Sequence, residues 1–125
     1  MKDLIVVISG GLSRERDISL ITGKACFNAI KRKGYNVELI DAKENLVEQL
    51  KKLKPSKILN ALHGKFGEDG FVQTIFEFMK IPYTHSGVLA SSLAMDKELS
   101  RNIFKKNKLK VPKYFLLQKD FKGNL

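Results

Sequence analysis

Two stretches of this 125-residue chain set glycines beside ionisable side chains where a strand ends. The first is Ser9-Gly10-Gly11-Leu12-Ser13-Arg14-Glu15-Arg16. A glycine-rich turn between a strand and a helix can cradle phosphate on its backbone N–H groups. The spacing is neither G-x-G-x-x-G nor G-x-x-x-x-G-K-[ST], so it supports neither a dinucleotide fold nor a P-loop. Glu15 falls in the first turn of the helix that follows. The helix dipole alone favours a carboxylate there, by about 0.3–1 kcal/mol. Turned into a crevice, the same carboxylate would anchor a cationic group such as an amine. The second stretch is His63-Gly64-Lys65-Phe66-Gly67-Glu68-Asp69-Gly70. His63 comes directly after a strand, among glycines that let a ligand approach the backbone, which marks it as a binding residue. Glu68 and Asp69 precede a helix and read as acids at a helix start. Lys97, taken alone, is a surface lysine in a basic chain. His63, His85 and Cys26 match no zinc spacing.

The elements that position these residues alternate. Leu4 to Ile8 is an unbroken aliphatic run, as in a strand buried on both faces. A helix is predicted from about Ser13 to Lys33, with Ser13 as N-cap and Gly34 as its stop. Ile18, Ile21, Ala25, Cys26, Ala29 and Ile30 form its apolar stripe, and Cys26 is a core residue on it. Tyr35 to Ile40 is a second strand. A short helix carries Leu46, Val47, Leu50 and Leu53 and ends before Pro55. Lys57 to Leu62 is a third strand, and Phe71 to Lys80 a helix. Ile81-Pro82-Tyr83 is extended, as a short fourth strand. Val88 to Met95 and Asp96 to Lys108 are helical, in one piece or two, and Tyr114 to Gln118 is a further strand. Alternation predicts an α/β fold, an open parallel sheet in three layers with helices on both faces. Strand order 2-1-3 puts a switch point between the C-terminal ends of the first and third strands, where open sheets bind ligands. The loops there are Ser9–Glu15 and His63–Gly70.

Composition narrows the function. The size is that of one domain, and 43% hydrophobic residues suffice for a core. A single cysteine excludes an intramolecular disulfide and fits a reducing, cytoplasmic setting. The aliphatic run at Leu4 is far short of the ~20 residues of a membrane span. Lys+Arg 23 against Asp+Glu 13 gives a net charge of +10. The lysines are spread over helix ends and solvated faces, and the denser patch at Arg101 to Lys113 has no interleaved aromatic surface, so neither nucleic acid nor membrane is expected as a partner.

Three longer stretches then resemble a known family. Gly10-Gly11-Leu12-Ser13-Arg14-Glu15-Arg16-Asp17-Ile18-Ser19-Leu20 looks like the opening motif of D-alanine–D-alanine ligases. Ala61 to Gly70, with Gln73 and Glu77 after it, resembles the second motif, and Ile81 to Lys97 the third. The resemblance runs from the first strand to Pro112. It implies a Rossmann-like pre-ATP-grasp domain at 1–112, with 113–125 opening the central ATP-grasp region. In the family, ATP phosphorylates the carboxylate of one D-alanine, and the amine of a second attacks the acyl phosphate. The product is the dipeptide of peptidoglycan precursors. By motif position Glu15 resembles the active-site glutamate that holds the first ammonium. His63 and Ile18 match positions lining the first D-alanine subsite. Lys97 matches a lysine at the ATP phosphates. The family usually has glycine where this chain has His85. The resemblance covers only an N-terminal part, so most groups for ATP and Mg2+ are expected elsewhere, and the 125 residues alone are expected to be inactive. A homodimer of the longer protein is a further implication. The alternatives are a D-alanine–D-lactate or D-alanine–D-serine ligase fragment, and a non-catalytic α/β ligand-binding module.

Overall fold

A computed structural model describes residues 3–117. The chain runs β1 (Leu4–Ser9), α1 (Arg16–Arg32), β2 (Asn36–Asp41), α2 (Leu46–Leu53), β3 (Lys57–Asn60), α3 (Phe71–Phe78), α4 (Val88–Met95) and α5 (Lys97–Lys106). The sheet is parallel with order β2-β1-β3, as expected. β1 takes the centre because its residues are apolar on both faces, and Val6, Val7 and Ile8 are fully buried. Successive side chains point to opposite faces. Val6 and Ile8 join Ile40, Leu50, Ile58, Val72 and Phe76 in the main core, under α2 and α3. The opposite face, carrying Val7 and Ser9, lies under α1. Ile81-Pro82-Tyr83 contributes one parallel bridge, Ile58 to Tyr83, rather than a full strand.

The side of α1 that meets the sheet differs from the expected stripe. Ile18 and Ile21 are 58% and 67% exposed, and Ala25 is exposed as well. The buried positions are Ser19 and Gly23, one turn apart. A Cβ on Gly23 would overlap Ser9 Cβ and lie 3.4 Å from Leu39 Cδ1. α1 therefore rests on the strands backbone-close, which bulky residues would prevent; Cys26, Ala29 and Ile30 are only half-buried. Its N-cap is Glu15, not Ser13, and Lys33 is the C-cap ahead of a left-handed Gly34.

α4 and α5 are two pieces, broken at Asp96, whose carboxylate accepts from the N–H groups of Glu98 and Leu99 as an N-cap does. Residues 111–117 form no strand, against expectation, and Gln118 lies outside the described residues. Tyr114 instead lies by α5, with Arg101 and Lys105 each 4.5 Å from its ring centre. A strand needs a neighbour for its backbone groups; here the aromatic–cation contacts settle the segment on the helix.

Candidate functional site

The β1–α1 loop and the β3–α3 loop meet at the C-terminal edge of the sheet, and two serines join them. Ser19 Oγ accepts from Gly10 N at 2.8 Å and donates to Ala61 O at 2.7 Å. Ser13 Oγ donates to His63 O at 2.7 Å and accepts from Glu15 N at 3.1 Å. Ser13 is thus a strut between the two predicted site residues rather than a helix cap.

Glu15 occupies the N-cap position, yet its carboxylate caps no N–H of the helix. It lies over Gly64, where a Cβ would overlap Glu15 Oε2. Gly64 has φ +69°, a backbone that glycine accepts without a Cβ penalty. The loop therefore needs glycine there twice over: for its turn, and for the carboxylate above it. His63, the preceding residue, is half-buried. Its Nε2 is 3.1 Å from Thr22 Oγ1 on α1, and its Nδ1 is 3.8 Å from Glu68 Oε1. Glu68 Oε2 accepts from Gly64 N at 2.6 Å. Glu68 is therefore no helix-start acid, contrary to expectation; it braces the loop beside His63. Asp69 does serve the start of α3, accepting from Phe71 N at 3.1 Å, while its other oxygen accepts from Phe66 N at 2.9 Å.

The structure brings Glu15 and His63 to one edge, on neighbouring loops, but they open into different hollows. Glu15 lines one of about 320 Å³ with Leu12, Ser13, Arg14, Lys65 and Phe66. His63 shares an apolar hollow of about 140 Å³ with Gly11, Leu62 and Phe66, and one of about 300 Å³ with Thr22, Cys26, Glu68 and His85. Ile18 follows Glu15 by three residues on α1 and is exposed. Lys97 is set apart: it is the first residue of α5, which packs on α4.

The two glycines of the first loop offer no open N–H group to a phosphate. The N–H of Gly10 is taken by Ser19, and that of Gly11 donates to Asp41 Oδ1 at 3.2 Å. Asp41, at the end of β2, also accepts from Lys43 N at 2.9 Å and from Arg16 through two bonds of 2.8 and 2.5 Å. Arg16 in turn donates to Gly11 O at 3.1 Å. An anion would meet a carboxylate where a phosphate loop needs open N–H groups. No group of three His, Cys, Asp or Glu among the described residues is placed to hold a metal ion. The N–H groups of Gly10 and Gly11 are thus spent on the protein's own side chains.

The Arg16 guanidinium, with the Lys43 and Gly11 N–H groups, draws the Asp41 carboxyl down to about 2, against a partial burial that opposes it. A carboxylate depressed in the folded state stabilises above its unfolded value of 3.8 and loses that contribution as pH falls towards 2. Both side chains are about a third exposed, so water and salt screen the pair. The urea midpoint of Asp41→Asn is expected to lie below that of the wild type above pH 4, with the gap closing between pH 4 and 2. A gap that does not change with pH would show that Asp41 acts by shape alone.

His85 has φ +80°, in the left-handed region that glycine prefers. Its Nε2 lies 2.8 Å from Asn60 O, at the end of β3. The turn keeps a glycine-like backbone, and the imidazole contact holds it to the sheet.

Ser19, Gly23, Thr22 and Asp41 all escaped the reading by residue type. Small residues one turn apart on a helix facing a β-branched strand were the available signal for the first two. For Asp41 it was an acid ending a strand at the ligand edge.

No family model matches the chain. Comparison with known proteins shows 54% identity over 114 residues to the D-alanine–D-alanine ligase of Pelagibacter ubique, covering 91% of this chain and 38% of that protein. The chain corresponds to the N-terminal part of D-alanine–D-alanine ligases. The ligase of Carboxydothermus hydrogenoformans is 50% identical over 120 residues, 96% of this chain and 38% of its own length. Among solved structures, the D-alanine–D-alanine ligase of Bacillus anthracis superposes with a TM-score of 0.81 at 34% identity, over 97% of this chain and 40% of that one. The same enzyme complexed with ATP gives 0.75 at 36%, over 97% and 42%. The chain spans about two-fifths of the length of these relatives. The 2-1-3 parallel sheet is thus that of the N-terminal domain of D-alanine–D-alanine ligases.

Proposed function

We propose that this chain supplies one wall of the amino-acid site of a D-alanine–D-alanine ligase, with Glu15 holding the ammonium of the first D-alanine. The observation that supports it is the Glu15 carboxylate, which leaves its helix uncapped and lies over Gly64 beside His63. A carboxylate placed this way forms charge-assisted hydrogen bonds with an amine, roughly twice as strong as neutral ones. His63 and Ile18 line the same side of the substrate, and Lys97 serves the ATP phosphates once the rest of the protein carries α5 to them. Positioning and electrostatics dominate phosphoryl transfer. Groups for ATP and Mg2+ come mainly from chain outside residues 1–112, residues 113–125 leading into it. The complete protein is a cytoplasmic homodimer that makes the D-alanyl-D-alanine of peptidoglycan precursors, without nucleic acid or membrane partners.

The test is D-alanine-dependent ADP release. A protein of the relatives' length that includes this segment is expected to release ADP and form the dipeptide; the 125-residue chain alone is expected to do neither. Turnover by the short chain would overturn its inactivity, and a full-length protein without D-alanine dependence would overturn the ligase reading.

A further inference from the structure

We propose that Thr22 is a positioning residue that fixes the tautomer of His63, keeping the proton on Nε2 and presenting Nδ1 as an acceptor. The purpose rests on His63 being a substrate-site residue; the geometry and the test do not. A threonine hydroxyl has one hydrogen to donate and lone pairs to accept with. Thr22 Oγ1 donates to Ile18 O, one turn back on α1, at 3.0 Å. With its hydrogen placed there, the same oxygen meets His63 Nε2 at 3.1 Å as an acceptor, so Nε2 carries the proton. The bond one ring nitrogen makes decides the state of the other.

The other side of the ring has the weaker hold on that proton. Glu68 Oε1 is 3.8 Å from Nδ1, beyond hydrogen-bond reach, and the Glu68 side chain is half exposed. Its second oxygen is engaged by Gly64 N at 2.6 Å. Nδ1 is therefore an unprotonated nitrogen beside a carboxylate, on the loop over which Glu15 lies. Such a rim takes a ligand through N–H donors and disfavours an oxyanion at that nitrogen. The role assigned to Thr22 is exerted through the ring. α1 can bring it there because Gly23, the next residue, lets the helix rest on the strands.

The experiment is 15N NMR of the His63 imidazole in the 125-residue chain, above the pH at which the ring is neutral, with His85→Gln used to assign the two histidines. The wild type is expected to show the Nε2–H pattern. Thr22→Val keeps the shape and loses the oxygen; Glu68 is then the remaining acceptor, and the population is expected to move towards Nδ1–H. Thr22→Ser keeps the hydroxyl and is expected to retain the wild-type pattern. An Nδ1–H ring in the wild type overturns the assignment, and so does a folded Thr22→Val variant with an unchanged pattern. The readout needs no turnover. Failure here leaves the ligase reading untouched, and failure of the ADP assay leaves the tautomer assignment untouched.

Discussion

Replacing Gly23 by valine is expected to cost the fold about 2–3 kcal/mol, the upper part of the range for overpacking a well-packed interior. The reason is where a new side chain would go. The Cβ alone would overlap Ser9 Cβ, which belongs to central strand β1 and cannot swing aside as a side-chain tip can. Ser9 is 1% exposed, so no neighbouring space receives it. The helix must lift from the sheet instead. Alanine should show a smaller loss, since its helix propensity returns about 1 kcal/mol relative to glycine. The measurement is a urea series of wild type, Gly23→Ala and Gly23→Val, with midpoints expected to fall in that order. Midpoints at or above the wild-type value would mean that α1 is not seated through Gly23. The same lift would stretch the bonds that α1 makes to the site loops, Ser19 to Ala61 and Thr22 to His63. The site should therefore lose its order in proportion to the loss of stability.

That position also shows where the sequence was a poor guide. Apolar periodicity placed α1 to within a few residues and caught the half-buried Cys26, Ala29 and Ile30, but it misjudged the N-terminal half of the stripe, because the rule that bulky apolar residues face inward assumes a helix held at side-chain distance. At this interface the separation is smaller and the inward residues are Ser19 and Gly23, which carry no hydrophobic signal. Ile18 and Ile21 are left outside. The sheet was legible for the opposite reason: β1 is buried on both faces, and an unbroken Leu4–Ile8 run can be little else at the centre of a parallel sheet. The run beginning at Tyr114 has the composition of a strand, yet residues 114–117 form none, and composition does not report a partner. At the site, residue type and position pointed to Glu15 and His63. The struts that hold them were hidden: Ser13 bonds across 50 residues and Ser19 across 42, separations at which no local pattern survives. Glu68 was misread because an acid just before a helix has a sufficient local explanation, while the bond it makes is back to Gly64.

The largest functional effect is expected from Glu15→Gln in a protein of the relatives' length. Glutamine keeps the size and one carbonyl oxygen but removes the charge. On the proposed function, the lost interaction is a hydrogen bond between ions, worth about 1.5–3 kcal/mol. That corresponds to about a ten- to hundredfold fall in kcat/KM for D-alanine at the first subsite. Folding should hardly respond. The Glu15 carboxylate is exposed and caps no helix N–H, so the amide leaves no helix donor unsatisfied. The backbone N–H of Glu15 keeps its bond to Ser13 in either case. This separation of effects tells the two readings of Glu15 apart. If the residue served the helix dipole, the variant would lose about 0.3–1 kcal/mol of stability and keep its rate. If it anchors an ammonium, the rate falls at an unchanged urea midpoint, and Glu15→Asp should recover part of it by restoring the charge at shorter reach. Full activity in Glu15→Gln would remove the residue from the mechanism and leave its place over Gly64 as a feature of loop packing.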